Sequence, residues 1–428
     1  MSEWKEFKLN DLCKIGSSKR IFSSEYVVSG IPFFRSKEII EKSFGDSISE
    51  PLFISEKRFR EIEKNFGSPN EGDILISSVG ARSGIPYRVK KEDGKFYFKD
   101  GNLIWIKDFT ENINSVFLLY WLKSNIGQEN LESIMIGSAQ PALTIDGISN
   151  LFINLPNIKL QKSIADVLSC LDAKIENLRR QNETLEQIAQ TLFKHWFIDF
   201  EFPNADGKPY KSSGGAMVRS ELGEIPEGWR VLTLEQICKT IYRYPQFYGM
   251  EKVDSGVPVI RGEHLLNTGR ISVDFSDYWF VKEEYSAKFP KTILEEFDVV
   301  LSVRGSVGNY SVVGKKHIHA QISPNTIRLS ANPDILKKTF LYPCLKVNKF
   351  KQKLLSIVSS SAVPAINAGE FKTFEFAIPA MSVQDMLSDV FKDLYKKIDI
   401  NEHQIQTLTK TRDTLLPKLM SGQLRVKE

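Results

Sequence analysis

Matching residues recur 223 to 226 positions apart along this 428-residue chain, and that recurrence limits the fold more than any other feature. Trp4, Leu9 and Cys13 return as Trp229, Leu234 and Cys238. Ser29–Arg35, SGIPFFR, returns as SGVPVIR at Ser255–Arg261, and EGDILIS at Glu71–Ser77 returns as EFDVVLS at Glu296–Ser302. Gln161, Ile175, Gln181, Leu185 and Leu192 map onto Gln384, Ile398, Gln404, Leu408 and Leu415. Ordered matches at nearly constant lag mean duplication. The period is too long for a solenoid, so each unit is a domain with an appendage.

Both units read alike. The first part of each (1–157 and 226–380) holds short apolar runs with Gly/Pro punctuation. ILISSV (Ile74–Val79), NLIWI (Asn102–Ile106), VVLSV (Val299–Val303) and NTIRL (Asn325–Leu329) predict buried strands. FLLYWLKSN from Phe117 and FLYPCLKVNKFKQKLL from Phe340 predict short helices, with Pro343 marking a first turn or a kink. The class is mixed α/β (α+β). A long helix then follows in each unit, at 158–200 and 381–428. Ile164, Leu168, Leu171, Ile175, Leu178, Asn182, Leu185 and Leu192 alternate at spacings of four and three, or their multiples. So do Leu387, Phe391, Leu394, Ile398, Asn401, Ile405, Leu408 and Leu415. That is a coiled-coil seam. A helix of about 50–60 Å cannot bury its stripe inside a domain of this size. The two are expected to pair antiparallel between two pseudo-symmetric globular domains. Asn182 and Asn401 are either register-setting polar residues in that seam or solvent-facing ones. Residues 201–225, rich in Gly, Pro, Ser and charge, read as a linker.

Composition excludes little. Charged residues make up 26% and hydrophobic ones 42%, so wholesale disorder is excluded. The N-terminus MSEWKEFKLN has charges where a signal peptide needs an apolar core, and four scattered cysteines fit free thiols, so a cytoplasmic location is expected. A net charge of +4 does not announce a nucleic-acid binder. The charge is uneven, though: residues 1–157 hold 20 basic and 21 acidic residues, a net of −1, while 226–380 hold 20 and 15, a net of +5. A polyanion must therefore meet local patches, and the second domain is better provided.

Catalytic chemistry is nearly absent from the pattern. There is no GxxxxGK[ST] phosphate loop and no GxGxxG. No acid/base or nucleophile set repeats between the units. Asn154-Leu-Pro-Asn157 reads as a loop before a helix. His317 and His319 would share a strand face but lack a third ligand, so no metal site is expected. His195, His264 and His403 are isolated. Polar loops do recur. SVGARSG (Ser78–Gly84, with Arg82) and SVRGSVG (Ser302–Gly308, with Arg304 and Ser306) follow buried strands. IGSAQPA (Ile136–Ala142, with Ser138 and Gln140) and SSSAVPA (Ser359–Ala365, with Ser360) precede the long helices. Lys19-Arg20 and Arg243-Tyr244 hold equivalent places, as do Arg35 and Arg261, and Lys37 follows Arg35 closely. Such loops suit phosphates or base edges; a solvated turn is the plainer alternative. The run Lys346, Lys349, Lys351, Lys353 fits phosphate contact or a solvated helix face.

At this point the chain resembles the specificity subunit of type I restriction–modification systems. The resemblance spans the whole chain. It is carried by LGEIPEGW (Leu222–Trp229), the W-x4-L-x-D-L opening at Trp4, GxxMVxSELG (Gly214–Gly223) and the helix from Leu160 to Phe200. It implies two target-recognition domains, each reading half of a split double-stranded DNA site. The paired helices would set the spacer and dock two modification (methyltransferase) subunits. Restriction subunits would complete the assembly. S-adenosylmethionine, ATP and Mg2+ would be cofactors of those partners, and this chain would be non-catalytic. A scaffold whose duplicated domains bind protein is the competing reading.

Overall fold

The structure, a computed structural model, describes residues 4–45, 48–137, 141–245, 251–347, 350–358, 366 and 368–426. The chain forms two compact units. One joins Met1–Glu176 to Thr407–Glu428; the other is Asn177–Gln406. Each therefore takes a share of both long helices.

In the first unit the strands are β1 (Lys5–Lys8), β2 (Lys14–Gly16), β3 (Tyr26–Val27), β4 (Ile31–Phe34), β5 (Leu52–Ile54), β6 (Ile74–Ser77), β7 (Pro86–Arg88), β8 (Tyr97–Phe98), β9 (Leu103–Lys107) and β10 (Phe152–Leu155). They form an antiparallel sheet β2-β9-β6-β7, a mixed sheet β3-β5-β4-β8 with β4 and β8 parallel, and the pair β1-β10. The second unit has β11 (Met217–Ser220), β12 (Gly223–Pro226), β13 (Arg230–Thr233), β14 (Cys238–Arg243), β15 (Val257–Ile260), β16 (Trp279–Val281), β17 (Val299–Ser302), β18 (Tyr310–Val312), β19 (Gln321–Ile322), β20 (Thr326–Ala331) and β21 (Glu375–Ile378). Its sheets β14-β20-β17-β18 and β16-β15-β19, and the pair β13-β21, repeat that plan. The four apolar runs expected as strands are β6, β9, β17 and β20. Strands β6 and β17 are buried along their whole length, which is why they read as continuous rather than alternating runs.

The repeat extends to buried polar groups. Gln161 and Gln384, at the start of the two long helices, are buried. Gln161 donates to the carbonyls of Asn112 and Pro156 and accepts from the Asn114 amide at 2.9 Å. Gln384 does the same with Ile335, Pro379 and Lys337. Each amide thus pins a helix to its own domain, and no donor or acceptor is orphaned. Asp73 and Asp298 are likewise matched. The Asn70 and Glu295 amides donate to them. The remaining partner differs: the Trp105 indole N–H donates to Asp73 at 2.8 Å, whereas Arg328 Nε donates to Asp298 at 2.6 Å. Burial pushes both carboxyls up from the ordinary range, and Arg328 pulls the second back.

The long helices run Ile158–Phe197 and Met381–Met420, 40 residues each. Within the second unit Asn401 Nδ2 donates to Asn182 Oδ1 at 2.9 Å, and Asn182 Nδ2 donates to Glu402 at 2.8 Å. Both asparagines are buried. Within the first unit Arg412 pairs with Asp172 at 2.8 Å, and Ile164 and Leu168 share a core with Leu419 and Met420. In each unit the pairing is antiparallel. Replacing Asn401 by leucine leaves Asn182 Oδ1 without its donor and is expected to cost about 1–3 kcal/mol. The Asn182→Leu/Asn401→Leu double variant should recover part of that loss in urea unfolding. A double variant that loses the full sum would show that the two amides do not act as a pair.

Several expectations are refined or corrected. Leu185 and Leu192 are half-buried and pack on the same core as buried Ala189, and beyond Ala189 the stripe adds Phe193 and Phe197 at spacings of four. There the helix packs into a globular core, which follows the 3.6-residue turn rather than a heptad. The stretch 201–225 is not a free linker. Phe202 and Ile225 are buried with Trp229, and β11 and β12 form a hairpin. Pro343 lies inside the helix Lys338–Val347, which is followed by a second helix, Phe350–Ser356. His317 closes a short 3-10 turn and His319 has a positive φ of 69°, so they share no strand face. No helix among the described residues is long and apolar enough to cross a membrane.

Candidate nucleic-acid interface

The second unit gathers several of the expected contact residues around one groove. Strand pairing brings the end of β15, the start of β16, the loop after β17 and the turn before β20 together. They enclose a space of about 530 Å³ lined by Arg261, Trp279, Arg304, Ser306 and Pro324, among others. Local bonds fix the loop. The Ser302 hydroxyl donates to the Arg304 carbonyl at 3.0 Å, the Gly308 amide to the Ser302 carbonyl at 2.9 Å, and the Val303 amide to the Asn325 carbonyl at 2.9 Å. Gly262 is required here, because a Cβ would meet Ser302 Oγ at 2.6 Å.

Arg261 is the most anchored of these cations. It pairs with Glu263, donates to the Asp277 carbonyl at 2.6 Å, and lies over the Trp279 ring at 4.4 Å. Its amide donates to His264 Nδ1 at 3.2 Å. Burial, then the neighbouring Arg261 charge, pushes His264 down to about 4, so the ring is neutral near pH 7. Glu263, His264 and Asp277 converge closely enough to suggest a metal site. The Arg261 guanidinium, however, bonds into that cluster and supplies its positive charge. Arg243 is half-buried and donates to the Pro324 carbonyl at 2.7 Å; burial and then Arg304 lower its pKa. Arg304 is half-buried and Ser306 exposed. Tyr244 is not a contact residue. It is 1% exposed in the small second core, and its hydroxyl meets that of Tyr285 at 2.7 Å. Strand alternation turns it inward beside outward-facing Arg243.

The first unit repeats the scaffold with different charge pairing. The Ser18, Ser36 and Ser78 hydroxyls donate to the carbonyls of Phe98, Asn102 and Gly101, tying three loops to the turn before β9. Arg35 caps the helix Ser36–Phe44 and is held at 2.6 Å by the fully buried Glu38, which stands where the second unit has His264. Arg20 pairs with Asp100 at 2.8 Å and Lys37 with Glu50 at 3.0 Å. Lys19 is exposed and lies over the Phe66 ring. Arg82 is exposed with no ion-pair partner among the described residues. Ser138, Gln140 and Ser360 lie outside the described residues. Trp279 escaped the sequence reading, because its place beside Arg261 depends on the pairing of β15 with β16.

The groove presents guanidinium groups and a hydroxyl in one place, with Arg261 seated over the Trp279 ring. Such groups match the acceptor edges of bases and phosphate oxygens.

Known proteins share this plan. The family described as the type I restriction modification DNA specificity domain matches residues 1–187 and again residues 226–410. The type I restriction enzyme MjaIX specificity subunit of Methanocaldococcus jannaschii is 28% identical over 437 aligned residues, which span all of this chain and 94% of that protein. The HindI specificity subunit of Haemophilus influenzae is 26% identical over 99% of this chain and 100% of its own length. The crystal structure of a type I restriction–modification S subunit from M. genitalium has the same fold, with a TM-score of 0.58 at 18% identity over 97% of this chain and 96% of that one. With one match on each half of its internal repeat, the chain belongs to the type I restriction–modification DNA specificity family.

Proposed function

We propose that this chain selects the DNA sequence for a type I restriction–modification complex, and that each unit reads one half of a split, asymmetric site. The observation that carries this is the groove of Arg261, Trp279, Arg304 and Ser306, whose loops correspond to those that carry Arg35 and Arg82 in the first unit. The paired helices set the distance between the halves and dock the modification subunits. Methyl transfer, ATP-driven translocation and cleavage belong to the partner chains, with S-adenosylmethionine, ATP and Mg2+. Absence of a phosphate loop from the sequence supports that division.

Arg304→Ala in the assembled complex is expected to weaken binding by about 1–3 kcal/mol, the value of a base-directed arginine. The loss should vanish on DNA whose second half-site is scrambled and persist when only the first is scrambled. Arg261→Ala should act on the same half-site. Because Arg261 is tied to Glu263 and Asp277, its loss also frees the Trp279 face and relaxes the groove. Full affinity in both variants would show that neither arginine meets DNA and would favour a protein-binding scaffold.

A further inference from the structure

Beside the groove, on the other flank of the same loop, lies a second hollow of about 330 Å³. Lys346, Lys351, Asn267, Asn309 and two tyrosines, Tyr310 and Tyr342, form its polar wall, and Leu266 and Leu355 an apolar one. We propose that this hollow seats one phosphodiester of the DNA strand whose bases enter the adjoining groove. The proposal deepens the DNA-reading function and rests on it.

Charge is the first argument. Lys351 Nζ donates to Asn309 Oδ1 at 2.7 Å, and half-buried Lys346 donates to the Tyr342 hydroxyl at 3.3 Å. Among the described residues neither lysine has a carboxylate within ion-pair reach. The acid that acts on Lys346, Glu186, is already bonded to the buried Arg270. Glu186 is thus already engaged and does not pair with either lysine. Burial lowers the Lys346 pKa, Glu186 opposes it, and Arg270 and Lys351 add to it, so an anion seated between the two lysines would favour their charged forms.

Position is the second. Arg304 and Ser306 belong to the groove, and Asn309 and Tyr310 to the hollow. The Asn309 amide donates to the Ser306 carbonyl at 3.2 Å, so the loop turns tightly between them. Three residues span at most about 10 Å, while phosphates follow one another every ~3.4 Å of rise along a strand. A duplex with a base edge at Ser306 has a phosphate within reach of the lysines. The roughly 330 Å³ exceeds about ten water volumes at ~30 Å³ each, enough for a phosphodiester and its ester carbons.

The first repeat lacks this arrangement. Its residues at the places of Lys346 and Lys351 are Lys123 and Gln128. Gln128 spends its amide on the carbonyls of Gly84 and Leu122 and brings no charge. The phosphate clamp is therefore a property of the second half-site alone.

The test uses the assembled complex and the exposed variant Lys351→Gln, which copies the first repeat, together with Lys346→Gln/Lys351→Gln. The slope of log affinity against log salt should fall by about 1 in the double variant. The loss should be the same on cognate DNA and on DNA scrambled in the second half. A methylphosphonate scan should find one position in that half which weakens the wild type and is silent in the variants. An unchanged slope with unchanged methylphosphonate sensitivity would overturn the proposal. So would an unchanged slope accompanied by thermal stabilisation of the wild type, but not the variants, by inorganic phosphate, which would assign the hollow to a free anion. Retained preference for the cognate sequence shows that the variants are folded. Failure of the wild-type complex to select DNA at all would remove the underlying function rather than this site alone.

Discussion

Replacing Arg328 by methionine is expected to destabilise the second unit by about 3–5 kcal/mol, the cost of leaving a buried charge without its partner. Arg328 is 3% exposed and Asp298 fully buried. The guanidinium bonds Asp298 at 2.6 Å and Glu295 at 2.7 Å, and Lys338 and Lys239 complete the cluster. Burial alone would raise Glu295, yet its hydrogen bonds from Lys338, Arg328 and Lys239 hold it at about 2. Among the described residues Asp298 pairs with no other cation, and burial already pushes its carboxyl up. In the variant that folded-state pKa rises further above the unfolded value. The folded form then holds a proton that the unfolded form releases, so the deficit should shrink as pH falls toward the carboxylate range and grow as pH rises through the raised pKa. Urea unfolding at pH 5 and pH 8 measures this. Asp298→Asn/Arg328→Met should recover much of the loss. A deficit that is independent of pH, and equal in the double variant, would mean that the damage comes from lost packing rather than from a stranded carboxylate. The first unit meets the same demand with a neutral donor, Trp105.

Four residues added to both long helices, after Glu176 and after Gln406, are expected to move the complex to a longer DNA spacer. These are the positions where one unit's contacts end and the other's begin. Each lies between an antiparallel contact of the first unit, Asp172 with Arg412, and one of the second, Asn182 with Asn401, in chain order. Each insertion adds about 6 Å and close to one full turn, so the buried faces on either side stay nearly in phase. At ~3.4 Å per base pair the optimum spacer should lengthen by one or two base pairs, with both half-site sequences unchanged. Methylation by the reconstituted complex on DNAs differing only in spacer reads it out. Retained activity with the original optimum would show that other parts of the assembly set the distance.

Much of this architecture could be read before any coordinates. A lag near 225 located both copies, and the continuous apolar runs at Ile74 and Val299 became the buried central strands because burial on both faces erases alternation. The helix seam was legible where helix packs on helix and misleading where Phe193 and Phe197 enter a globular core. The groove was legible only in pieces. Arg261 and Arg304 were visible as loop cations, but Trp279 joins them through a strand pairing that no local spacing encodes, and Tyr244 beside Arg243 looked like a second contact until alternation turned it inward. Glu38 and His264 were missed as well. They fill equivalent positions with different chemistry, so a search for repeated residues passes over them.

The division of the helices between the units also orders the protein's birth. The second unit is one uninterrupted stretch, Asn177–Gln406, and can close its core as soon as that stretch leaves the ribosome. The first unit cannot, because its core includes Leu419 and Met420. At roughly 5–20 residues per second, the N-terminal domain waits on the order of 10–50 s after its own synthesis for Leu419 and Met420 to complete that core. The half of the molecule made first is thus the half finished last.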